Sequence, residues 1–386
     1  MSNIKNKDGR LRCSVFKRCG GCQLDMPYTE QLEWKQKKAD RMLSRFCRVE
    51  PMIPMKQPYH YRNKVQTVYR VASGRVLSGV FSSSTRTMTA ADECLLEDKR
   101  AANVIKELKK LLLSFKIFPY DERTGRGILR HSLIRTSHST GEVMLVLVTK
   151  GAILPSKNNF ARVLKEKCPE VTTLIHNINP DKMPLTLGER SITLFGKGSI
   201  TDNICSCDFI ISPQSFYQVN PVQTEKLYRT AISFADISQG TRVIDAYCGV
   251  GTIGIVCAKN GADVTGIEKN PSAVKDAVKN AELNGLDNIS FMCADAAQAL
   301  CEMAYKNVRC DVVIMDPPRA GSTQEFISAV GAISPERVVY VSCGIETLER
   351  DIRIFGKTGY KAVKIQPVDM FAHTTGIETV VLLKKV

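Results

Sequence analysis

Val243-Ile244-Asp245-Ala246-Tyr247-Cys248-Gly249-Val250-Gly251-Thr252-Ile253-Gly254 decides the fold: an apolar β-branched run, then a glycine-rich turn, then a segment able to begin a helix. Glycine in such a turn lets a ligand approach the backbone closely. Working outward from about Asp202, buried strands alternate with helices at Arg242–Ala246, Asp263–Glu268, Ser290–Cys293, Asp311–Met315, Arg337–Ser342, Lys361–Val368 and Thr379–Leu383. That alternation predicts an α/β, doubly wound, Rossmann-like sheet. Glu268 ends the second of these strands, where a carboxylate can accept from both hydroxyls of an unphosphorylated ribose. A nucleotide-like cofactor is therefore expected at the turn, and these two motifs alone would also suit a dinucleotide-binding oxidoreductase.

Upstream the pattern differs. At 386 residues the chain has room for two or three domains. Thr29 to Phe46 carries an apolar stripe at helical spacing, with Thr29 placed to cap it, and Pro51, Pro54 and Pro58 follow. From Tyr61 to about Ile200, β-branched runs such as Val143–Thr149 and Ser191–Leu194 alternate with glycine-containing turns, and Asn103–Phe115 and Asn159–Lys167 read as helices. The expected division is 1–50, a small N-terminal segment with its helix; 51–201, a mostly β middle domain; and 202–386, the α/β domain.

Charge is split along the same lines. Residues 1–200 hold 36 basic and 18 acidic residues, a net +18, whereas 201–386 hold 18 and 21, a net −3. A basic half beside a near-neutral half predicts that one part grips a polyanion while the other acts on it. No apolar run reaches the length of a membrane span, and Met1 to Arg12 lacks the apolar stretch of a secretory signal, so a cytoplasmic protein is expected.

Fourteen cysteines in such a chain point to metal or catalysis rather than to disulfides. Cys13, Cys19 and Cys22 form Cys-x5-Cys-Gly-Gly-Cys, and Cys94 lies far downstream. Three clustered thiolates plus a remote one match an iron–sulfur site better than structural zinc, which usually takes two Cys-x-x-Cys pairs. Cys47, Cys168, Cys205, Cys207, Cys257, Cys293, Cys301 and Cys310 lack such spacing and read as small hydrophobes.

Three motifs bear on chemistry. Ile314-Met315-Asp316-Pro317-Pro318-Arg319 ends a strand in an acidic, proline-rich loop at the sheet's carboxyl edge, a combination that points to S-adenosylmethionine and a nucleobase. Val339-Tyr340-Val341-Ser342-Cys343 ends the next strand at the same edge, so Cys343 is a candidate nucleophile. Asp369 to Glu378 (DMFAHTTGIE) leads a polar loop into an apolar strand that opens, unusually, on a carboxylate.

With these motifs in their order, the chain resembles the RNA uracil-C5 (m5U) methyltransferases, in particular the iron–sulfur enzymes that methylate 23S ribosomal RNA. The matching pieces are the cysteine cluster, Tyr61-Arg62-Asn63-Lys64, Ser212-Pro213-Gln214-Ser215-Phe216-Tyr217-Gln218-Val219-Asn220, the glycine-rich turn, Asp-Pro-Pro-Arg, Ser342-Cys343 and Phe371 to Glu378. The resemblance implies that Gln218, Tyr247, Thr252, Glu268, Asp295 and Asp316 line an S-adenosylmethionine site, with Glu268 on the ribose and Asp295 near the adenine. It further implies that Cys13, Cys19, Cys22 and Cys94 ligate a [4Fe-4S] cluster, that Cys343 is the nucleophile and that Glu378 is the general base. The implied partner is RNA, foremost 23S ribosomal RNA, acted on by a monomer that needs neither membrane nor protein partner.

Reaching a base in such a site requires it to leave its stack. Arg62, Lys64, Arg70, Arg130 and Arg135 are the candidate phosphate contacts, with Tyr59, Tyr61 and Tyr69 as stacking partners. The chain departs from the family pattern at Gly344-Ile345, where Asn-Pro is common, at Ala372 in place of proline, and at Gly376 in place of histidine. Only twelve residues precede Cys13, too few for the N-terminal RNA-binding barrel of some members. A cytosine-C5 enzyme would want a cysteine after Pro318, where Arg319 stands. The remaining alternatives are a transfer RNA T-loop m5U enzyme and an iron–sulfur RNA-binding protein without catalysis.

Overall fold

Strands buried on both faces read as nearly unbroken apolar runs, and the C-terminal half is built on such strands. The computed structural model describes residues 4–5, 11–81, 87–181 and 186–386. Two compact units emerge, each gathered from separate segments: one from the described residues up to Asp25, Gln57–Asp202 and Ile211–Gln214, the other from Met26–Lys56, Asn203–Ile210 and Ser215–Val386. The 1–50, 51–201, 202–386 division therefore needs correcting. The helix after the cysteine cluster belongs with the α/β unit, because its Ala39 and Leu43 are fully buried in a cluster with Tyr340, Leu348 and Phe355.

In the α/β unit that helix is α1 (Tyr28–Leu43), begun by Pro27 with no side-chain cap rather than by Thr29. There follow α2 (Pro221–Ala235), β1 (Arg242–Ala246), α3 (Thr252–Lys259), β2 (Asp263–Glu268), α4 (Pro271–Leu283), β3 (Ile289–Cys293), α5 (Ala296–Tyr305) and β4 (Val312–Met315). The unit closes with α6 (Gln324–Ile333), β5 (Arg337–Ser342), α7 (Ile345–Lys357), β6 (Tyr360–Val368) and β7 (Glu378–Lys385). The sheet order is β3-β2-β1-β4-β5-β7-β6. Strands β1 to β5 run parallel, and β7 runs antiparallel between β5 and β6. Its direction has one consequence for the site. The parallel strands end at the carboxyl edge and β7 begins there, so Glu378 arrives at the edge where Asp316 and Cys343 emerge.

The other unit carries a seven-stranded sheet in the order Met88–Ala90, Arg75–Phe81, Lys64–Ala72, Leu129–Thr136, Val143–Thr149, Val171–Ile178, Arg190–Phe195. Only Val143–Thr149 and Val171–Ile178 pair in parallel, joined through the helix Lys157–Lys167. That helix and Lys99–Ser114 bury Phe160, Leu164, Val104, Leu108 and Leu112 against the sheet. A hairpin of Ile200–Ile204 and Cys207–Ile211 lies where the chain passes from one unit to the other. Among the described residues no helix is long and apolar enough to cross a membrane.

Candidate active site

The turn after β1 is shaped by packing as well as by ligand access. Tyr247 adopts φ +63°, a left-handed conformation uncommon for a large side chain, and stacks its ring on Phe326 with centroids 5.0 Å apart. At Gly251 (φ +82°) a Cβ would meet the Phe291 ring at 3.1 Å and Ala277 at 3.2 Å, so this glycine makes room for the protein's own core. Gly249 (φ +56°) is the one facing open space, with nothing within 4 Å of its Cβ position. Its amide donates to Glu268 Oε2 at 3.2 Å, and the Asn270 amide donates to Oε1 at 2.8 Å. Glu268 at the end of β2 is thus held beside the turn. Thr252, the first residue of α3, shares a 2.8 Å hydrogen bond with the buried Tyr228 hydroxyl.

Asp245 is a site residue that the sequence reading passed over. It is buried, Oδ2 accepts from the Gly254 amide at 2.8 Å, and Oδ1 has no hydrogen-bond partner among the described residues. Burial pushes its carboxyl up to about 7, and Asp316 and Glu268 nearby add to the shift. Its position as the acid closing a strand before a glycine turn was the available signal.

Cys343 and Glu378 are brought together by strand register. Ser342 pairs with Thr379 at the end of the β5–β7 ladder, and Cys343 and Glu378 are the next residues beyond that pair, near enough for the Glu378 carboxylate to act on the thiol. Glu378 is 3% exposed, and burial pushes its carboxyl up to about 8, with Asp316 adding to the rise and Arg319 opposing it. Cys343 is half-buried; burial pushes its thiol up to about 11, Glu378 and Asp316 push the same way, and Arg319 again opposes. Asp316 is raised by burial to about 7. Thiol, two carboxyls and one guanidinium therefore act on one another at this edge. Arg319 was quoted in the sequence as part of a motif and given no role; it is the cation of the group.

Around them the loops are fixed. The Thr347 hydroxyl donates to Gly344 O at 2.9 Å, closing the first turn of α7 where an asparagine cap is absent. Asp351, fully buried, accepts from the Ser322 amide and the Tyr340 hydroxyl, each at 2.7 Å, and so ties the loop after Pro318 to α7. Gln218 is half-buried two residues before Asn220, whose side chain caps α2 and donates to Met370 O at 3.0 Å. Asp295 is exposed and caps α5, accepting from the Ala297 and Gln298 amides. Its charge helps to raise the Tyr247 hydroxyl, behind the larger effect of burial.

In the other unit Cys13, Cys19, Cys22 and Cys94 influence one another. Burial raises the Cys19 thiol, with Cys13 and Glu97 adding; burial pushes Cys22 up to about 12, with Cys19 and Cys13 adding; and burial raises Cys94, with Glu97 and then Cys22 contributing. The amides of Gly21, Leu96 and Glu97 donate to Cys19 and Cys94 and counter the rise. Among the described residues no three His, Cys, Asp or Glu side chains are gathered to hold a metal ion.

The candidate RNA contacts divide by burial. Arg62 and Arg70 are exposed, and Lys64, Tyr59 and Tyr61 are half-buried. Arg130 is buried, donating to Asn179 O at 2.8 Å and to Glu122 at 2.6 Å, and Arg135 is buried with Nη2 3.3 Å from Pro213 O. Tyr69 is buried with its hydroxyl 2.6 Å from Ser132 Oγ. Arg130, Arg135 and Tyr69 are thus part of the unit's interior, which corrects their assignment to phosphates and bases.

A family model described as tRNA (Uracil-5-)-methyltransferase matches residues 201–386. An uncharacterized RNA methyltransferase of Clostridium tetani is 40% identical over 376 residues, which are 96% of this chain and 82% of its own. A second, from Halalkalibacterium halodurans, is 39% identical over 378 residues, again 96% and 82%. Among solved structures, Pyrococcus abyssi tRNA (uracil-54, C5)-methyltransferase in complex with S-adenosyl-L-homocysteine superposes with a TM-score of 0.78 at 30% identity, covering 93% of this chain and 84% of that one.

Proposed function

The chain belongs to the RNA uracil-5-methyltransferase family, and from that premise we propose that it methylates C5 of a uridine in 23S ribosomal RNA, with Cys343 as nucleophile and Glu378 as general base. The observation that carries the assignment is that the β5–β7 ladder ends at Ser342 and Thr379, leaving Cys343 and Glu378 as the next residue on each side, where the Glu378 and Asp316 carboxylates act on the Cys343 thiol.

C5 of uracil is too weak a nucleophile to take a methyl group directly. S-adenosylmethionine supplies that methyl as an electrophile on a sulfonium. Cys343 Sγ, as the thiolate, adds to C6, and the ring's electrons move to C5 and O4 as an enolate. After C5 is methylated it carries both the methyl group and its original proton. Glu378 takes that proton, the C5–C6 double bond re-forms, and the C6–S bond breaks to return the thiolate. Burial that keeps Glu378 near the pH of its task suits it to this step. For the donor, Gly249 with Glu268 supports a binding place for the ribose, and Gln218, Tyr247, Thr252, Asp295 and Asp316 are proposed to complete it.

Cys13, Cys19, Cys22 and Cys94 are proposed to hold a [4Fe-4S] cluster. Four thiols backed by amide donors suit that group. We assign the cluster a structural part in the basic unit, whose exposed Arg62 and Arg70 are proposed to grip phosphates.

The solved relative that acts on tRNA uracil-54 favours a second reading, a transfer RNA T loop. One experiment addresses both: anaerobically purified protein is incubated with S-adenosylmethionine and 5-fluorouridine-substituted ribosomal or transfer RNA. Fluorine at C5 cannot leave as a proton, so the enzyme stalls as a denaturation-resistant adduct, present in wild type and absent in Cys343→Ala. The RNA that is captured identifies the substrate. No adduct with either RNA overturns the covalent mechanism and leaves a non-catalytic iron–sulfur RNA-binding protein.

A further inference from the structure

The loop Asp369–Ile377, which delivers Glu378 into β7, is bolted to a helix more than three hundred residues away in the chain. Lys35 of α1 is fully buried; its Nζ donates to Asp369 Oδ1 at 2.6 Å and to Phe371 O at 2.9 Å. The other oxygen, Asp369 Oδ2, accepts from the Tyr28 hydroxyl at 2.7 Å. One turn earlier on the same helix face, Gln31 is also fully buried. Its Oε1 accepts from the His373 amide at 2.7 Å, and its Nε2 lies 3.1 Å from His373 Nδ1. At the start of α2, the Asn220 side chain holds Met370 O, and Gln223 Nε2 donates to Asp369 O at 2.9 Å.

Taking a lysine and an aspartate wholly out of water is a poor way to gain stability, because apolar residues of similar size usually serve as well or better. What the pair provides is direction. The ammonium fixes one carboxylate oxygen and one backbone carbonyl at once, and Gln31 fixes the backbone two residues further on. Together they define the path of the four residues that remain before Glu378.

We propose that Lys35 and Gln31 are positioning residues for proton removal: they hold the Asp369–Ile377 loop so that Glu378 meets the C5 proton of the methylated adduct. This rests on the reading of Glu378 as base. It concerns the last chemical step and leaves the addition of Cys343 untouched.

The test uses full-length Lys35→Met and Gln31→Leu, the second keeping the ion pair should the first fail to fold. The expected result is fluorouridine-adduct formation at the wild-type rate, but kcat on ordinary RNA lowered about tenfold or more, with KM for the RNA falling in step so that kcat/KM is unchanged. A methylated protein–RNA adduct should accumulate with ordinary RNA, and 5-deuterouridine RNA should give a larger isotope effect on kcat than in wild type. Overturning results are unchanged turnover in both variants, or turnover that falls in step with fluorouridine-adduct formation, with no accumulation and no added isotope effect. Glu378→Gln run alongside separates failure of this inference from failure of the base assignment: a methylated adduct that accumulates in Glu378→Gln but in neither Lys35→Met nor Gln31→Leu overturns this inference alone, and no accumulation in any of the three overturns both.

Discussion

Ser342 faces Thr379 across an antiparallel ladder, and this single pairing sets Cys343 beside Glu378. Two residues from distant parts of the chain thus become neighbours through backbone hydrogen bonds, with the loop on one side and the α7 turn on the other left to refine their positions.

Replacing each partner should stop the reaction at a different point. Cys343→Ala forms no adduct. Glu378→Gln still adds and methylates, then fails to release the proton, so a methylated adduct accumulates while turnover falls by about 10²–10⁴. Denaturing gel electrophoresis with methyl-labelled donor distinguishes the two.

Arg319 opposes the upward shift of both Cys343 and Glu378. Removing its charge in Arg319→Met should raise both groups further, so that a higher pH is needed to form thiolate and carboxylate. The rising limb of the pH dependence of kcat/KM is expected to move to more alkaline pH, with the effect weakening at high salt if the guanidinium is partly solvated.

Stability should also report the Glu378 environment. Its folded value of about 8 lies well above the ordinary 4.5. Below about 4.5 the carboxyl is protonated in both folded and unfolded chains; as pH rises toward 8 the unfolded chain ionises while the folded one resists, and stability is lost. Glu378→Gln removes that dependence. Thermal melts should show near-equal stability around pH 4.5 and a gain for the variant on the order of 1–3 kcal/mol at pH 8.

Interior and surface arginines of the basic unit should behave oppositely. Arg130→Met removes the buried hydrogen bond to Asn179 O, the contact with the Tyr120 ring and the ion pair to the exposed Glu122, and should cost about 1–3 kcal/mol of stability. Arg62→Ala should leave the stability within about 0.5 kcal/mol of wild type and reduce the salt dependence of RNA binding by about one ion. Calorimetry and filter binding over a salt series separate them.

Much of the α/β unit was legible because a parallel sheet writes itself as apolar runs: five of its strands, from Arg242–Ala246 to Arg337–Ser342, stand within a residue of their expected limits. The edge motifs were legible for the same reason, each following a recognisable strand. Lys35 and Asp369 were not, since a buried ion pair between residues 334 apart leaves no local period. Leu129–Thr136 was deceptive in another way. Its Arg130, His131 and Arg135 suggest a wetted face, yet every residue of the strand is buried, the charged ends finding carbonyls and a carboxylate inside the unit. The allegiance of α1 was hidden because an amphipathic stripe says that a helix has a partner and not which one.

The position of β7 bears on how the molecule comes to exist. This strand follows both β5 and β6 in the chain yet lies between them in the sheet, so β5 and β6 cannot first pair with each other without having to separate again. Closure of the seam waits for the last strand, and the non-local pairing makes it a slow step. Until it closes, Glu378 has no fixed place, and a ribosome still translating residues 378–385 carries a nascent chain in which the proposed base is not yet set beside Cys343.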